Sequence, residues 1–282
     1  MSIDESKSTI VAAIIPVYNR NELLIRALRI VLKQSRKVDQ IIVVDDHSSS
    51  PSRDFISAVE EFNGTPIHIL RLNKNCGVST ARNAGIAYAI SKGADFIALL
   101  DSDDEWMPKK LEKQLQELAK TNLLVCHSNE TWIRDGQHLN QHKKHKKRGG
   151  KIFEDSMRMC SMSPSTVLIH KSVLLDVGSF DEQFVVCEDF ELWLRVTKKY
   201  QVAFLEESLV VKHGGHTDQL STRFKGMDYF RILALKKLKQ SQASDLSEDE
   251  LLKLDEWIAL RTQWLGEHFN DMAQGKMTLR IP

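Results

Sequence analysis

Over the first 120 residues, short apolar runs rich in Ile and Val alternate with stretches in which apolar side chains recur every three or four positions. A short apolar run predicts a strand, and the three-to-four spacing predicts a helix. This alternation is typical of an α/β fold with a mainly parallel sheet and helices on both faces. The predicted strands are residues 10–15, 40–44, 67–70 and 96–100, and the predicted helices are 21–33, 52–62, 79–91 and 109–120.

The second half of the chain continues with less regular elements. A very basic polar segment, residues 135–151, contains two glycines after its run of basic residues and predicts a mobile loop at the join between the halves. The predicted strands around and after it are residues 123–126, 166–169, 202–205 and 209–211, and the predicted helices are 171–177 and 188–199.

The C-terminal segment, residues 231–282, carries a helix start signal. Ser247 is followed three positions later by Glu250, and this pair forms a capping box ahead of an apolar face that includes Leu254 and Ile258. We predict a C-terminal helical extension. Its apolar face either packs on its own domain or forms the contact of a homodimer.

Composition narrows the classes of function. The chain has 282 residues, 42% of them hydrophobic, and its 39 basic and 38 acidic residues leave no charge excess that would attract nucleic acid. The four cysteines are widely separated without a C-x-x-C pair, as in proteins with reduced thiols. The first apolar run is far shorter than the ~18 residues of a membrane span. We therefore expect a cytoplasmic protein without a signal peptide or transmembrane segment, and a position at the inner face of the membrane stays open.

The apolar strand at residues 96–100 ends in a crowd of acidic side chains. Asp101, Ser102, Asp103 and Asp104 follow it directly. Like charges this close raise one another's pKa, whereas a divalent cation removes the repulsion, and oxygen ligands favour Mg²⁺ or Mn²⁺ shared with substrate phosphates. The segment therefore indicates a metal and diphosphate site. The alternative is a solvated acidic turn that caps the next helix.

Polar side chains also follow the first two predicted strands. Asp45 and Asp46 offer carboxylates to the N–H groups of a base and to ribose hydroxyls, and Tyr18 offers an aromatic ring. Arg82, in a later helix, offers a guanidinium to phosphates. Ligands of open α/β sheets bind beyond the carboxyl ends of the strands, so we expect these side chains to meet in one site. The alternative for each residue taken alone is structural: the two aspartates could stabilise a turn, and Arg82 could be a surface residue of its helix.

Two features of the second half could carry chemistry. Glu188 and Asp189 open a predicted helix, where the helix dipole favours an ionised carboxylate that could take a proton from an attacking hydroxyl. The alternative is that both acids only complement the dipole while Trp193 packs in the core. His213 and His216 lie on a Gly-containing turn after a predicted strand, and either could be a metal ligand. Their spacing does not choose between them.

Together these segments resemble the family 2 glycosyltransferases of the GT-A fold, over roughly residues 9–230. The matching residues are 16–19 (Pro-Val-Tyr-Asn), 44–46 (Val-Asp-Asp), 81–85 (Ala-Arg-Asn-Ala-Gly), 101–103 (Asp-Ser-Asp) and 187–195, an acidic pair leading into a helix with a Leu-Trp face.

The resemblance implies an inverting enzyme of polysaccharide or cell-envelope glycan biosynthesis. It would move a sugar from a nucleotide-diphosphate sugar, with a UDP-sugar favoured, to a hydroxyl of a glycan or glycolipid; the residues alone do not exclude retention. It implies Mn²⁺ or Mg²⁺ as cofactor. It divides the chain into a glycosyltransferase domain at residues 1–230, with a donor-binding half at 9–120 and an acceptor-binding half at 121–230, and the extension at 231–282.

The resemblance also assigns roles to residues. Asp189, beside Glu188, would be the catalytic base. The candidate nucleotide-binding residues are Pro16, Tyr18, Asn19, Asp45, Asp46, Arg82, Asp101 and Ser102; the candidate metal ligands are Asp101, Asp103, His213 and His216; the candidate acceptor-binding residues are Trp193, Asp218 and Gln219.

Two other functions compete with this prediction. An apolar strand that ends in Asp-x-Asp also begins an aspartyl-phosphate phosphatase, with Asp101 as nucleophile. Three predicted strands precede Asp101, however, and that hypothesis leaves Asp45, Asp46 and the acidic pair at 188–189 without a role. A catalytically silent module that binds a sugar nucleotide or glycan is the other alternative. The basic segment at 135–151 either gathers an anionic donor or a phosphate-bearing acceptor at a membrane surface, or is a solvated loop.

Overall fold

The computed structural model describes residues 9–59, 62, 66–134, 136–139, 146–215 and 226–273, the last of these with side chains up to residue 267. Its strands are β1 (Val11–Val17), β2 (Gln40–Asp45), β3 (Ile67–Arg71), β4 (Phe96–Leu99), β5 (Glu105–Trp106), β6 (Val125–Arg134), β7 (Gln137–Leu139), β8 (Leu168–His170) and β9 (Ala203–Gly214). Its helices are α1 (Asn21–Leu32), α2 (Ser52–Ser57), α3 (Val78–Ser91), α4 (Lys110–Thr121), α5 (Phe153–Arg158), α6 (Lys171–Val177), α7 (Glu188–Lys199), α8 (Met227–Ser241) and α9 (Glu248–Ala273).

One sheet of nine strands runs through the described part of the chain, in the order β3-β2-β1-β4-β8-β6-β9-β5, with β7 paired to β6. β1 pairs in parallel with β2 and β4, and β3 adds to β2 in parallel. β8 is antiparallel to both β4 and β6, so it joins the parallel first half to a mixed second half. The carboxyl ends of β1, β2 and β4 therefore lie at one edge of the sheet.

Helices cover both faces of this sheet, which is why the central strands are continuous apolar runs. Every residue of β1 is buried, and its side chains alternate between two core clusters. The first cluster contains side chains of α1, α2 and α4, and the second contains side chains of α3, α6 and α7. The predicted α/β architecture with helices on both faces is confirmed.

Helix α3 approaches the sheet closely at Gly85. A Cβ atom at this position would stand 2.6 Å from Ile14 Cγ2 and 3.1 Å from Val44 Cγ2. Both side chains are fully buried in β1 and β2, so they have little room to move. The missing side chain of Gly85 therefore lets α3 lie directly against the two strands whose ends carry the candidate nucleotide-binding residues.

Strand β9 corrects one sequence-based prediction. Two strands are predicted at residues 202–205 and 209–211, but a single strand spans Ala203–Gly214. Its pairing with β6 shifts register near Asn129, and the shift leaves polar residues of β9 unpaired without ending the strand. A bulge of this kind bends a strand while preserving the ladder on either side.

Other bounds also differ from the prediction. The helix predicted at 52–62 ends at Ser57. β6 continues to Arg134 and pairs with β7, so a β-hairpin occupies the start of the segment predicted as a loop. The short elements β5 and α5 and the longer helix α8 were not predicted, because none of them has a clear apolar period of its own.

The C-terminal helices pack against the rest of the chain. The predicted capping box is confirmed: the Ser247 N–H donates to Glu250 Oε2 at 2.8 Å, and the Glu250 N–H donates to Ser247 Oγ at 3.2 Å. Leu235, Leu238 and Leu254 are buried in a third cluster that also contains side chains of α5 and α7. Among the described helices, none combines the length and the apolar character that crossing a membrane requires.

Candidate active site

Asp45 ties together the loop that follows β2. Its Oδ1 accepts the Ser48 N–H at 2.7 Å, and its Oδ2 accepts the Ser52 N–H at 2.9 Å and Arg71 Nη1 at 2.7 Å. Burial of Asp45 opposes ionisation, but the hydrogen bonds from Ser52 and Ser48, with the charge of Arg71, outweigh it and hold the pKa below its ordinary value. The carboxylate is thus ionised and organises the turn.

The loop after β1 is joined to the same turn. The Asn19 N–H donates to Ser48 Oγ at 2.9 Å, and Asn19 Oδ1 accepts the Ser49 N–H at 2.7 Å. Asn19 adopts a left-handed backbone conformation, which asparagine tolerates better than most residues. Its neighbour Tyr18 is 45% exposed, while Pro16 lies in the buried strand β1. The ring of Tyr18 is therefore accessible to a ligand at this edge of the sheet.

Asp46 joins the end of β2 to the start of α3. Its Oδ1 accepts the Cys76 N–H at 2.7 Å, and its Oδ2 accepts the Gly77 N–H at 2.8 Å and Asn75 Nδ2 at 3.0 Å. Gly77 has φ 90°, a conformation that glycine allows, and it directly precedes α3. Burial raises the pKa of Asp46, against the effect of these hydrogen bonds. The segment 75–77 thus closes over the carboxylate predicted to face a nucleotide.

Arg82 joins the two halves of the chain. Its Nη2 donates to Asp101 Oδ1 at 2.6 Å, and its Nη1 donates to Glu188 Oε1 at 2.7 Å. The guanidinium also lies over the Phe180 ring, 5.1 Å from the centroid. Burial alone would lower the pKa of Arg82, but Asp101 and Glu188 raise it above its ordinary value, so the side chain stays charged. The acidic turn after β4 and the acidic pair of α7 consequently belong to one site.

The three aspartates after β4 have different surroundings. Asp103 Oδ2 accepts Arg20 Nη1 at 2.7 Å, and Arg26 Nη2 donates to the Asp103 carbonyl at 2.6 Å. Asp104 is buried, accepts Ser165 Oγ at 2.6 Å and lies 3.8 Å from Lys212 Nζ. Burial, with the charges of its two acidic neighbours, raises the pKa of Asp104 to about 7. Asp104 thus faces inward, while its neighbours line the site.

Asp101 and Asp103 suit a divalent cation chemically. Asp101 uses Oδ1 for Arg82 and Asp103 uses Oδ2 for Arg20, and the other oxygen of each carboxylate has no hydrogen-bond partner among the described residues. The Asp101 side chain is 24% exposed and that of Asp103 is 11% exposed. Carboxylate oxygens that still have free lone pairs are what Mg²⁺ or Mn²⁺ require. The donor set fits such an ion.

A complete metal cluster is not assembled. Within the described ranges, no group of three or more His, Cys, Asp or Glu side chains could hold a metal ion. His213 Nε2 lies 2.9 Å from Glu105 Oε1, an acid of β5. Three predicted site residues, His216, Asp218 and Gln219, lie outside the described residues.

The acidic pair lies at the start of α7 as predicted, but Glu188 and Asp189 differ in burial and in their contacts. Glu188 is buried, and burial together with the charge of Asp189 raises its pKa to about 6, against the effect of Arg82. Asp189 is half-buried; its Oδ1 accepts the Phe190 N–H at 2.7 Å and its Oδ2 accepts the Cys160 thiol at 3.2 Å. Burial, with the charge of Asp189, raises the pKa of Cys160 well above its ordinary value, so the thiol keeps the proton that it donates.

Trp193 differs from its predicted role. It is 1% exposed and lies in the core cluster of α3, α6 and α7, with its ring edge-on to Phe180. The structure therefore gives Trp193 a place in the core and not on a surface that an acceptor could contact. The Leu-Trp face of α7 is the face that packs on the sheet.

Several neighbours of the candidate site residues were not predicted from the sequence. Arg20 follows the first loop directly, and its closeness to Asn19 is the only sequence signal for its contact with Asp103. Ser165 donates to Asp104 and accepts the Asp101 N–H at 3.1 Å, from a segment with no period of its own. Lys147, in the basic segment, pairs with the buried Glu130 at 2.9 Å.

Comparisons with known proteins identify the family and the fold of the chain. The sequence model of glycosyl transferase family 2 matches residues 12–184, more than half of the chain. The UDP-Glc:alpha-D-GlcNAc-diphosphoundecaprenol beta-1,3-glucosyltransferase WfgD of Escherichia coli is 29% identical over 194 residues, which are 69% of this chain and 72% of that protein. An uncharacterized glycosyltransferase of Rickettsia felis is 30% identical over 71% of this chain, which spans 32% of that longer protein. The crystal structure of S. aureus TarS 1-349 in complex with UDP-GlcNAc superposes with a TM-score of 0.69 at 18% identity, over 90% of this chain and 72% of that one.

Proposed function

Because the chain belongs to glycosyl transferase family 2 and is a glycosyltransferase of the GT-A fold, we propose that it transfers a sugar from a UDP-sugar. The acceptor would be a hydroxyl of a cell-envelope glycan or glycolipid, and the transfer would invert the anomeric centre. The observation that carries the proposal is the bridge from Asp101 through Arg82 to Glu188. It joins an acid predicted to hold the metal and diphosphate to the acidic pair predicted to activate an acceptor, through one guanidinium.

The donor would lie at the carboxyl ends of β1, β2 and β4. The exposed ring of Tyr18 is suited to stack on a base, and Asp46 is suited to accept its N–H once the loop at 75–77 adjusts. Asn19 and Ser102 offer further polar groups at the same edge. UDP is favoured because the E. coli relative is named for UDP-Glc and the TarS structure contains UDP-GlcNAc.

A divalent cation would be held by Asp101 and Asp103, with a late histidine, His213 or His216, as a further candidate ligand. When bound, Mn²⁺ or Mg²⁺ stabilises the negative charge of the departing nucleoside diphosphate. Arg20 pairs with Asp103 and Arg82 pairs with Asp101, and these ion pairs orient the two carboxylates. Lys212 contributes positive charge beside them, and its pKa lies above its ordinary value because the charges of Asp104 and Glu130 outweigh burial.

Asp189 would act as the base. The acceptor hydroxyl gives its proton to the Asp189 carboxylate while the hydroxyl oxygen bonds to the anomeric carbon and the bond from that carbon to the diphosphate oxygen breaks. Attack from the face opposite the leaving group inverts the anomeric centre. Glu188 is a positioning residue in this scheme, because Arg82 holds it and Asp189 follows it in the first turn of α7.

The proposed organisation follows from these roles. Residues 9–120 would bind the donor, residues 121–230 the acceptor, and residues 231–282 would brace the second half. The E. coli relative is named for an acceptor linked to diphosphoundecaprenol, which favours a lipid-linked glycan and a position at the inner face of the membrane. Packing of the buried Leu254 against α5 and α7 favours an intramolecular role for α9 over a homodimer contact.

Calorimetric titration of UDP, GDP and dTDP, with and without Mn²⁺, tests the donor site. We expect Mn²⁺-dependent binding of UDP that Asp103→Ala abolishes and that Asp54→Ala, a loss of one exposed acid on α2, leaves unchanged. Binding of none of the three nucleotides would overturn the donor assignment. UDP binding without hydrolysis or transfer from any UDP-sugar would favour the silent module, and phosphate release from a phosphomonoester that depends on Asp101 would favour the phosphatase.

A further inference from the structure

Arg231 on α8 and Arg261 on α9 share a single acid, and we call these two residues the arginine pair. Arg231 Nη1 lies 3.2 Å from Asp228 Oδ1, and Arg261 Nη1 contacts the same oxygen. Among the described residues, Asp228 is the one carboxylate that forms an ion pair with either arginine. Burial, with the positive charge of Arg231, lowers the pKa of Arg261 below its ordinary value. Asp228 therefore does not balance the charge of the pair.

Hydrogen-bond donors of the arginine pair also lack acceptors. The Nε atoms of Arg231 and Arg261 are buried, and neither has a hydrogen-bond partner in the part of the chain that the structure describes. A buried N–H group without an acceptor is costly, and a charged one most of all. Arg82 has such an Nε too, but it lies between two carboxylates, whereas here two cations share one. Both the charge and the donors of the pair therefore suit an anion.

The arginine pair lies beside the first turn of α7, which carries the proposed base. Arg261 lies 5.6 Å from the centre of the Phe190 ring, and Phe190 directly follows Asp189. The carbonyl of Met227, the first residue of α8, accepts the Cys187 thiol at 3.7 Å, and Cys187 directly precedes the acidic pair. The helices that carry the two arginines thus contact the chain on either side of Glu188 and Asp189.

The two arginines differ in how accessible they are. The side chain of Arg231 is 29% exposed, whereas that of Arg261 is 2% exposed. Arg261 is also held by the carbonyls of Met157 and Arg158. A ligand can therefore reach Arg231, with Arg261 as a fixed charge behind it. A phosphate group brings negative charge and several acceptor oxygens, which the planar fork of arginine binds in pairs.

We propose that Arg231, backed by Arg261, binds a phosphate group of the acceptor and so presents the acceptor hydroxyl to Asp189. This inference rests on the proposed function for the acceptor and the base, whereas the binding of phosphate by Arg231 does not depend on it. The donor diphosphate would lie elsewhere, with Asp101 on the side of Arg82. The phosphate can belong to a water-soluble acceptor or to the head group of a membrane lipid, because both offer the same oxygens.

Inorganic diphosphate is the probe for the first source. It is titrated calorimetrically into the full-length chain in EDTA, which removes the divalent cations that the donor site would use to bind it. We expect Arg231→Gln to weaken diphosphate binding by about tenfold or more, since it removes a charged hydrogen-bond donor. Arg231→Lys keeps the charge without the planar fork, so its affinity should lie between those of the native chain and Arg231→Gln.

Two controls accompany this titration. Lys236→Gln removes one exposed positive charge from the same helix, and we expect it to change diphosphate binding by less than about twofold. Urea unfolding checks that the Arg231 variants are folded, and Arg231→Lys carries the test if Arg231→Gln is not.

Vesicles are the probe for the second source. Retention on vesicles of phosphatidic acid in phosphatidylcholine but not of phosphatidylcholine alone, lost in Arg231→Gln and kept in Lys236→Gln, assigns the phosphate to a lipid. Binding of diphosphate without such retention assigns it to a water-soluble acceptor. Equal binding of both probes by the native chain and Arg231→Gln overturns the proposal, and so does failure of the native chain to bind either probe. If UDP does not bind with Mn²⁺ while diphosphate binding that depends on Arg231 persists, the donor assignment fails and the phosphate site stands.

Discussion

Arg82 Nη1 donates to Glu188 Oε1 at 2.7 Å, although 106 positions separate the two residues in sequence. The same guanidinium holds Asp101. Arg82 and Glu188 are buried and Asp101 is partly buried, so removing one of the three leaves the desolvation of the other charges without an offset. This relationship makes the two acidic motifs of the sequence one chemical unit.

Substitution of Arg82 should disturb both motifs together. We expect Arg82→Ala to lower the free energy of unfolding by about 3–5 kcal/mol, since it leaves two carboxylates without their cation. Arg82→Lys keeps the charge but cannot form both bonds, so its loss should be smaller. Urea unfolding measures both, with Arg53→Ala, an exposed site on α2, as control. A loss for Arg82→Ala no larger than that for Arg53→Ala would contradict the bridge.

The buried carboxyl of Asp104 should make stability depend on pH. Its unfolded pKa is the ordinary 3.8 and its folded pKa is about 7, so between these values the folded state holds a proton that the unfolded state has lost. The free energy of unfolding contributed by this group is therefore fully present below about pH 3.8 and lost as pH rises through 7. As pH rises from acid to neutral, the free energy of unfolding of Asp104→Asn should therefore increase by about 1–4 kcal/mol relative to that of the native chain.

Asp95→Asn supplies a control, because the pH dependence that it adds to the free energy of unfolding has the opposite sign. Burial opposes ionisation of Asp95, but hydrogen bonds from Lys171 and the Ile10 N–H hold its pKa below the ordinary value. Its contribution is present above that ordinary value and lost as pH falls through the folded pKa. Asp95→Asn should therefore lose stability relative to the native chain mainly at neutral pH. The same pH trend in both variants would refute the assignment.

Removal of the proposed base should affect turnover and spare donor binding. We expect Asp189→Asn to lower kcat by about 10²–10⁴-fold, which is the range for loss of a general base. Its Kd for UDP should stay within about twofold of the native value, because the side chain lies on the acceptor side. Calorimetry and a transfer assay separate the two effects. Turnover that survives the substitution would move the role of base to another carboxylate.

Because α3 lies close to the sheet at Gly85, adding a single methyl group there should lower the stability of the protein. Gly85→Ala would push a Cβ against Ile14 and Val44, and we expect it to lower the free energy of unfolding by about 1–3 kcal/mol. Gly266→Ala on α9 meets no atom within 4 Å among the described residues and replaces a helical glycine, so it should be neutral or stabilising by up to about 1 kcal/mol. Thermal unfolding distinguishes the two variants, and equal effects would contradict the packing.

Arg261 should connect the C-terminal extension to activity. Its guanidinium is buried, pairs with Asp228, and donates to the carbonyls of Met157 and Arg158; it also lies 5.6 Å from the centre of the Phe190 ring, beside Asp189. We expect Arg261→Ala to lower both stability and kcat while leaving the Kd for UDP unchanged, and Arg261→Lys to recover part of kcat. Glu256→Ala, at an exposed site on the same helix, should leave all three measurements unchanged.

Features that depend on neighbouring residues or on an unbroken apolar run could be predicted from the sequence. The capping box of Ser247 and Glu250 is correct because it depends on residues three positions apart. The central strands are correct because both of their faces are buried, so the apolar runs are unbroken. Asp45, Asp46 and the aspartates after β4 lie at one edge of the sheet because parallel strands end there.

Contacts between residues that are far apart in the sequence could not be predicted from it. Arg82 was predicted to meet phosphate, and no pattern reveals that Glu188 is its partner. Trp193 was assigned to the acceptor because a Leu-Trp face does not say whether it meets sheet or solvent. β9 was divided in two because Glu206 and Glu207 are polar, and only its pairing with β6 shows that a bulge accommodates them.

The contact of Arg261 with the carbonyls of Met157 and Arg158 spans more than a hundred residues of chain. On the ribosome, the sheet, the acidic turn after β4 and α7 all emerge before this arginine does. The surroundings of Asp189 can therefore take their final form only once synthesis has passed residue 261. A nascent chain that already carries every proposed catalytic group but stops before Arg261 therefore still lacks the contact that braces the start of α7.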